Sequence, residues 1–126
     1  MKSIVKTENA PAPIGPYNQA VWAGNMLFVS GQIAIVPETN EIVSGDINKE
    51  AHQVMKNLSA ILEAAGLTFE NVVKTGIFLK NMSDFAIVNE VYGSYFSGNY
   101  PARETVEVAC LPKNVNVEIS VVAVKL

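Results

Sequence analysis

The most constraining stretch of this sequence is its C-terminal segment, residues 115–125, in which strongly apolar positions alternate with mixed ones. One face of a strand built from it carries Val115, Val117, Ile119, Val121 and Ala123, and the other carries Asn116, Glu118, Ser120, Val122 and Val124. A period of two predicts a β-strand with one buried face. The opposite face is only partly polar, so its apolar part needs a cover as well.

Two stretches with helical spacing supply the cover of the first face. Asp46 is a suitable N-cap and Gly66 a suitable stop for a helix over residues 47–65, which has an apolar stripe. A second helix is predicted over residues 83–97. Its buried stripe comprises Phe85, Val88, Tyr92, Tyr95 and Phe96. Because two helices cover only one side of a sheet, we expect the other side to pack on further copies of the chain.

Six strands complete the prediction. They are expected at residues 3–6, 17–23, 26–33, 72–80, 104–111 and 115–125, with the last two hinged at residues 112–114. Gly24 and Asn25 are expected to supply the positive φ angles of a tight hairpin. In the fourth strand, one side is expected to carry Val73, Thr75, Ile77 and Leu79. The sequence therefore predicts an α+β fold, a mixed β-sheet with two helices packed on one face, in a single domain over residues 1–126.

Composition excludes several classes of protein. With 126 residues, 49% of them hydrophobic and 17% charged, the chain can build a full core and is not expected to be disordered. Nine Lys and Arg against twelve Asp and Glu give a net charge of −3, so nucleic acid is not an expected main partner. No stretch approaches the roughly 20 apolar residues of a membrane span, so we expect a cytoplasmic protein with no membrane contact.

Elimination narrows the possible chemistry. His52 is the only histidine and lies off the apolar stripe of the first helix, so we interpret it as a solvated helix residue. Cys110 is the only cysteine, and its apolar neighbours favour a small core side chain over a nucleophile. A Ser-His-Asp triad, an ordinary metal site and a glycine-rich nucleotide loop are therefore not expected, and no cofactor is predicted.

Two charged residues in apolar surroundings remain as candidates. Arg103 follows Pro101 at the entrance of a strand, where a guanidinium suits bidentate binding of a small carboxylate; a surface salt bridge is the alternative. Glu118 lies inside the apolar last strand, an unfavourable place for a charge unless it is paired or used in chemistry. A structural role for Glu118, as partner of Arg103 or of a backbone amide, is as compatible with the sequence as catalysis.

The remaining candidates are uncharged. Ser30 is a hydroxyl in a buried strand beside Gly31, which would let a ligand approach the backbone closely. Tyr17 stands at a strand entrance after a proline-rich segment, and Asn89 lies in the second predicted helix. Serines in strands and asparagines in helices are common, so none of these residues identifies a site by itself.

Taken together, these segments resemble the RidA/YjgF family over essentially the whole chain. The stretches that carry the resemblance are Asn9-Ala10-Pro11, Ile14-Gly15-Pro16-Tyr17, Phe28-Val29-Ser30-Gly31-Gln32-Ile33, Leu62-Glu63-Ala64-Ala65-Gly66-Leu67, Pro101-Ala102-Arg103 and Val117-Glu118-Ile119. The resemblance implies a chorismate-mutase-like homotrimer with active clefts between neighbouring subunits. It also implies a 2-iminobutanoate/2-iminopropanoate deaminase, an enzyme that hydrolyses reactive 2-imino acids to 2-keto acids and ammonia.

The resemblance assigns roles to individual residues. Arg103 matches the arginine that binds the substrate carboxylate, and Glu118 matches the glutamate that positions or activates the attacking water. The residues that match the lining of the cleft are Tyr17, Ser30, Gly31 and Asn89. The implied partners are small 2-imino and 2-keto acids, and the imino acids would come from pyridoxal-phosphate-dependent serine and threonine dehydratases.

The chain departs from the family pattern directly after the arginine. Many relatives carry a small residue and then a cysteine there, whereas this chain has Glu104 and Thr105. Thr105 is expected to line the cleft and to alter the size preference for the substrate. Alternation along the strand predicts that Glu104 points to the side opposite Arg103 and leaves the charge of the arginine available.

Two other functions stay open. A non-catalytic sensor or binding trimer would hold a keto acid in the same cleft without turnover. Glu118 argues against this, because a carboxylate binder gains nothing from a second negative charge. An endoribonuclease or translation inhibitor, an activity attributed to some family members, is disfavoured by the acidic charge and by the single histidine.

Overall fold

The computed structural model describes residues 2–126 as six strands and two helices. In chain order the elements are β1 (Ser3–Val5), β2 (Ala20–Ala23), β3 (Met26–Gln32), α1 (Ile47–Ala64), β4 (Val72–Leu79), α2 (Phe85–Gly93), β5 (Ala102–Glu107) and β6 (Val117–Val124). Short 3₁₀ turns lie directly before β4 and α2, and another precedes β6. No helix within residues 2–126 combines the length and apolarity needed to cross a membrane.

The strands form one sheet in the order β1-β2-β3-β6-β4-β5. All neighbouring pairs are antiparallel except β4 and β5, which are parallel. A parallel pair requires a crossover connection, and α2 lies in that connection. The sheet is therefore mixed, and the predicted α+β fold with two helices on one face is confirmed.

Local signals at both ends of α1 work as the sequence predicted. The Asp46 carboxylate accepts hydrogen bonds from the backbone amides of Asn48 and Lys49, at 3.0 and 3.2 Å. These bonds satisfy two of the free N–H groups in the first turn. Gly66 follows the helix with a φ of +77°, a left-handed conformation that a side chain with a β-carbon disfavours.

Strand β6 lies at the centre of the sheet and shows the predicted alternation. One face is buried under the helices and carries Val117, Ile119, Val121 and Ala123, each at most 3% exposed. On the other face, an apolar row crosses four strands in register and comprises Ile4, Val21, Phe28 and Val122. Ile4 is 60% and Phe28 42% exposed. The second face of the sheet thus presents apolar surface that no described part of the chain covers.

All six strands are shorter than predicted, and β6 runs over Val117–Val124 rather than residues 115–125. For β2 and β5 the reason is that pairing with a neighbour stops. β2 begins at Ala20 rather than at residue 17, since its partner β3 is bulged beyond Val29. β5 begins at Ala102, two residues early, and ends at Glu107 rather than at residue 111. Its parallel partner β4 ends at Leu79, so no ladder continues beyond that point.

Three further details of the prediction are wrong. α2 ends at Gly93 rather than at residue 97, at a residue with low helix propensity. Val73 was expected on the buried face of β4 but is 47% exposed, because an irregularity between Val72 and Lys74 shifts the alternation. In the hairpin between β2 and β3, only Gly24 has a positive φ, and Asn25 does not.

Three buried polar side chains, Gln19, Glu50 and Asn57, fix the loops at one end of the sheet. Glu50, only 1% exposed, accepts hydrogen bonds at 2.8 Å from both the backbone and the side-chain amide of Asn116, directly before β6. Gln19 binds the proline-rich loop after β1, and Asn57 binds two carbonyl oxygens of the loop after β3. These three loops contribute to the walls of a recess that is lined largely by apolar residues.

Candidate functional site

That recess is a cavity of about 410 Å³ beside the end of β3 and the start of β6. We name it the Glu118 cavity. Its polar lining comprises Tyr17, Gln19, Ser30, Gln32, Lys113 and Glu118, and the rest of its wall is apolar apart from Gly31. The cavity therefore brings together four of the predicted site residues: Tyr17, Ser30, Gly31 and Glu118.

A bulge in β3 shapes one wall of the Glu118 cavity. The pairing register between β3 and β6 shifts between Val29 and Gln32, so Ser30 and Gly31 lie outside the regular ladder. The Ser30 hydroxyl donates a hydrogen bond to the carbonyl oxygen of Asn18 at 2.6 Å, and the Ser30 backbone amide donates to Gln19. The serine proton thus holds the loop before β2, and Ser30 contributes to the site mainly through the shape of the wall.

Gly31 leaves the space that the Glu118 carboxylate occupies. A β-carbon at position 31 would lie 2.5 Å from Oε2 and 2.9 Å from Cδ of Glu118, well inside van der Waals contact. The φ of Gly31 is outside the left-handed region, so a side chain at this position would have to displace the Glu118 carboxylate but would not strain the backbone. Gly31 and Glu118 therefore form one structural unit.

Replacing Gly31 with alanine is expected to lower the free energy of unfolding by roughly 1–3 kcal/mol, because the added methyl group overlaps the Glu118 carboxylate. Urea denaturation measures this change. In a Glu118→Ala background the same substitution should cost much less, since the obstructing group is absent. An equal cost in both backgrounds would show that the two residues do not act as a unit.

Glu118 is a half-buried carboxylate without a partner among residues 2–126. The cross-strand neighbours of Glu118 on the same face of the sheet are Phe78 and, one strand further, Val106. No described hydrogen bond or salt bridge reaches its oxygens. Burial raises the pKa of the Glu118 carboxyl above its ordinary value. A carboxyl group with a raised pKa is a stronger proton acceptor than an ordinary glutamate, which suits it to exchange a proton with water.

The raised pKa predicts that Glu118→Gln stabilises the fold at neutral pH. Because the pKa of Glu118 is higher in the folded than in the unfolded chain, the ionised carboxylate disfavours the folded state above the ordinary glutamate pKa of about 4.3. The gain in unfolding free energy should be present at pH 7 and vanish below about pH 4, where the carboxyl is protonated in both states.

Denaturation of wild type and Glu118→Gln at both pH values tests this sign. Glu63→Gln, on the exposed side of α1, is the matched control for loss of a surface carboxylate. A Glu118→Gln variant that is less stable than wild type at pH 7 would mean that the charge has a stabilising partner.

Arg103, the only arginine of the chain, lies at a second depression of about 670 Å³, which we name the Arg103 groove. The groove is lined by Asn89, Glu90, Tyr92, Gly93, Tyr100, Pro101 and Arg103. Nη1 of Arg103 donates a hydrogen bond to Oδ1 of Asn89 at 2.6 Å. The guanidinium carbon lies 5.6 Å from the ring centre of Phe85 and 5.3 Å from that of Tyr92, a cation–π arrangement on both rings.

These contacts orient the guanidinium and leave other N–H groups free to bind a planar anion. Tyr92 is itself fixed, because its hydroxyl donates a hydrogen bond to Oγ1 of Thr75 at 3.0 Å. Burial raises the pKa of the Tyr92 phenol, and the bond to Thr75 and the charge of Arg103 offset this only in part. Phe85 and Tyr92 were predicted as core residues only, so their contact with Arg103 was missed.

The two residues after Arg103 lie on opposite sides of β5. Glu104 points away from the helices and forms a surface salt bridge with Lys74 at 3.3 Å, as strand alternation predicted. Thr105 is opposite Ile77, on the helix side. Its hydroxyl oxygen is buried and has no hydrogen-bond partner among the described residues. Thr105 lines neither the Glu118 cavity nor the Arg103 groove.

Arg103 and Glu118 do not meet within one chain. Arg103 is in register with Thr75 and Val121, which face the helices, whereas Glu118 is in register with Phe78 on the other face. A structural ion pair between the two residues, one of the alternatives from sequence, is therefore absent in the described chain. Asn89 accompanies Arg103, while Tyr17, Ser30 and Gly31 accompany Glu118. The predicted site residues thus form two separate halves.

Two expectations about other reactive residues are wrong. His52 is half-buried rather than solvated, with Nδ1 2.8 Å from the hydroxyl oxygen of Tyr95. Cys110 lies beyond the end of β5 and is exposed, so it is not a core side chain. Within residues 2–126, no group of three His, Cys, Asp or Glu side chains is arranged to hold a metal ion.

Lys113 is a wall residue that the sequence did not single out. It lies in the turn between β5 and β6 and lines the Glu118 cavity. Both Lys113 and Asn114 adopt left-handed conformations, with φ of 55° and 56°. The sequence indicated only a hinge at residues 112–114, and the asparagine was the one signal for such a conformation.

Comparison with known proteins gives matches over nearly the whole chain. A family model described as endoribonuclease L-PSP matches residues 7–125. A RutC family protein of Pyrococcus horikoshii is 55% identical over 125 residues, which are 99% of both chains. The human protein named 2-iminobutanoate/2-iminopropanoate deaminase is 45% identical over 125 residues, which are 99% of this chain and 91% of the human one.

Solved structures share the fold at similar levels of identity. The crystal structure of Escherichia coli TdcF with bound serine is 42% identical and superposes with a TM-score of 0.94. The match covers 98% of this chain and 99% of TdcF. The similarity therefore includes the strands and loops that carry both halves of the candidate site.

Proposed function

Because the chain belongs to the RidA/YjgF family, described also as the endoribonuclease L-PSP family, we propose that it is a 2-imino acid deaminase. It hydrolyses 2-iminopropanoate and 2-iminobutanoate to the corresponding 2-keto acids and ammonia. The observation that carries the proposal is the unpaired, half-buried Glu118 carboxylate in a cavity opened by Gly31. A carboxylate so placed suits proton transfer to and from water.

Hydrolysis of an imino acid requires little activation of the substrate by the protein, because the C=N carbon is already electrophilic. Arg103 binds the substrate carboxylate through two parallel N–H···O bonds and fixes the position of that carbon. Glu118 accepts a proton from a water molecule as the water oxygen bonds to the carbon, and then delivers that proton to the imine nitrogen, which gives a neutral carbinolamine. In the second step Glu118 accepts the proton of the carbinolamine hydroxyl and delivers it to the amine as the C–N bond breaks, which leaves the keto acid and ammonia.

The active cleft is formed between two chains, in a homotrimer. Within one chain Arg103 and Glu118 lie on opposite faces of the sheet, so a second copy must bring one half of the site to the other. The uncovered apolar row across β1, β2, β3 and β6 favours such association. Three copies are what the family resemblance implies, and light scattering in dilute neutral buffer should report three chains.

Two relatives support different parts of the proposed function. The human deaminase supports the reaction, and the TdcF structure with bound serine supports a ligand of about the size of a three-carbon amino acid. Pyridoxal-phosphate-dependent serine and threonine dehydratases are the proposed sources of the imino acids, in the cytoplasm. A ribonuclease role finds less support, because the single histidine is bound to Tyr95 and no histidine pair is present.

A coupled assay tests the proposal. A threonine dehydratase generates 2-iminobutanoate in the presence or absence of the chain, and the release of 2-ketobutyrate and ammonia is followed. We expect release to be faster than spontaneous hydrolysis and proportional to the concentration of the chain. If release stayed at the spontaneous rate while calorimetry detected binding of 2-ketobutyrate, the result would contradict the enzyme and support a non-catalytic sensor that binds a keto acid.

A further inference from the structure

Each half of the site carries one further charge that the proposed reaction does not use. Lys113 lines the Glu118 cavity, and Glu90 lines the Arg103 groove. Each half therefore has one cation and one anion. Neither Lys113 nor Glu90 forms a salt bridge within residues 2–126, where the one ion pair is between Lys74 and Glu104.

The backbone holds Lys113 at the wall of the Glu118 cavity in a costly conformation. Two successive residues other than glycine in left-handed conformations cost about 1–3 kcal/mol each and persist only where the surroundings enforce them. Here the amide of Asn114 donates to the carbonyl of Leu111 at 2.9 Å, and buried Glu50 anchors Asn116 two residues later. The placement of Lys113 is thus set by the fold rather than by a flexible loop.

The position of Glu90 in the Arg103 groove is also set by the fold. It follows Asn89, the residue that binds Arg103, on α2, and it is exposed. Because Asn89 is fixed by its 2.6 Å bond to the arginine, the position of Glu90 relative to the guanidinium is set by one helical step. Arg103 and Glu90 therefore give the Arg103 groove one cationic and one anionic wall residue.

We propose that Glu90 of one subunit and Lys113 of the neighbouring subunit form an ion pair across each active cleft. This inference rests on the proposed function, since it requires the two halves to face each other. They can meet in two ways. If Arg103 faces Glu118, Glu90 faces Lys113 and both contacts are attractive. If the halves are reversed, Arg103 faces Lys113 and Glu90 faces Glu118, and both contacts are repulsive.

The ion pair thus selects the register that places Arg103 opposite Glu118. Its partner is a second copy of this chain, and it contributes to closing the cleft around a small ligand. A substrate bound by Arg103 then has its imine carbon directed toward the Glu118 carboxylate. Glu90 and Lys113 are positioning residues, and neither is assigned a part in proton transfer.

A charge-swap experiment on the full-length oligomer tests the pair. The variants are Glu90→Lys, Lys113→Glu and the double exchange, and the readouts are kcat/KM for 2-iminobutanoate and subunit dissociation by sedimentation at low and high salt. Each single reversal should lower kcat/KM roughly 5- to 30-fold and promote dissociation, whereas the double exchange should recover to within about threefold of wild type. Glu63→Lys and Lys56→Glu, on the exposed side of α1, are controls for charge reversal alone.

Three outcomes would overturn the pair. In the first, neither single reversal changes kcat/KM or subunit dissociation. In the second, the double exchange lowers kcat/KM by as much as the product of the two single effects. In the third, Lys113→Glu lowers activity but Glu90→Lys does not, which would indicate that Lys113 acts on the ligand. A wild-type chain without deaminase activity would instead contradict the proposed function. The dissociation measurements on the same four proteins would still decide whether Glu90 and Lys113 are coupled.

Discussion

Arg103→Ala is expected to lower kcat/KM for 2-iminobutanoate by roughly 30- to several-thousandfold, the equivalent of about 2–5 kcal/mol of lost transition-state binding. Arg103 is the only arginine of the chain, and its guanidinium is oriented by Asn89, Phe85 and Tyr92 toward an open groove. Arg103 is the one cationic residue among the described residues that line the Arg103 groove. The coupled assay for keto-acid release measures the loss.

Two further variants identify the cause of that loss. Arg103→Lys keeps the charge but not the planar fork, so it should recover only part of the rate if bidentate binding matters. Lys56→Ala removes an exposed cation from α1 and should have wild-type activity. Near-normal activity of a folded Arg103→Ala variant would remove the arginine from the site.

Glu118→Gln is expected to lower turnover by roughly 10²- to 10⁴-fold, the range for loss of a general base. Glutamine preserves the size and a carbonyl oxygen but does not accept the proton of the attacking water. The affinity for 2-ketobutyrate should stay equal or rise, because a negative charge has left a site that binds an anion. Calorimetry beside the kinetic assay measures both quantities on one variant, with Glu63→Gln as control.

The same substitution is predicted to stabilise the fold at pH 7, because the pKa of the Glu118 carboxyl is raised by burial. Higher stability together with lower turnover would indicate a carboxylate retained for chemistry rather than for folding. If activity and ligand affinity fell in parallel, Glu118 would be a scaffold residue that supports the binding site.

Features that depend on neighbouring residues could be predicted from the sequence. The Asp46 cap, the Gly66 stop and the alternation along β6 each result from interactions within a few residues or from a simple period. Val73 was misplaced for the opposite reason. The irregularity after Val72 arises from pairing with β6, about 50 residues further along the chain. An alternation pattern within the β4 sequence alone does not predict it.

The residues of the candidate site also fall into those that could be predicted from the sequence and those that could not. Glu118 could be found because a charge is rare in an apolar strand, and Arg103 because it follows Pro101 at a strand entrance. The resemblance to a family gave both residues roles. The buried anchors Gln19 and Glu50 were missed, because their partners follow no sequence pattern. Gln19 donates to the carbonyl oxygen of Ala10 in the preceding loop, and Glu50 accepts from the amide of Asn116, 66 residues away. Thr105 remains a prediction, because its unpartnered hydroxyl lies outside both halves in the single chain.

The most direct test of a cleft shared between subunits is complementation of two inactive variants. Arg103→Ala and Glu118→Gln chains carrying different tags are co-expressed, the mixed oligomers are isolated by both tags, and their deaminase activity is measured. In a cyclic trimer that contains both variants, one of the three sites combines an intact Arg103 with an intact Glu118. We therefore predict about a third of wild-type activity in the isolated mixed oligomers, far above either variant alone. Mixed oligomers that are no more active than the separate variants would contradict a site built from Arg103 of one chain and Glu118 of its neighbour.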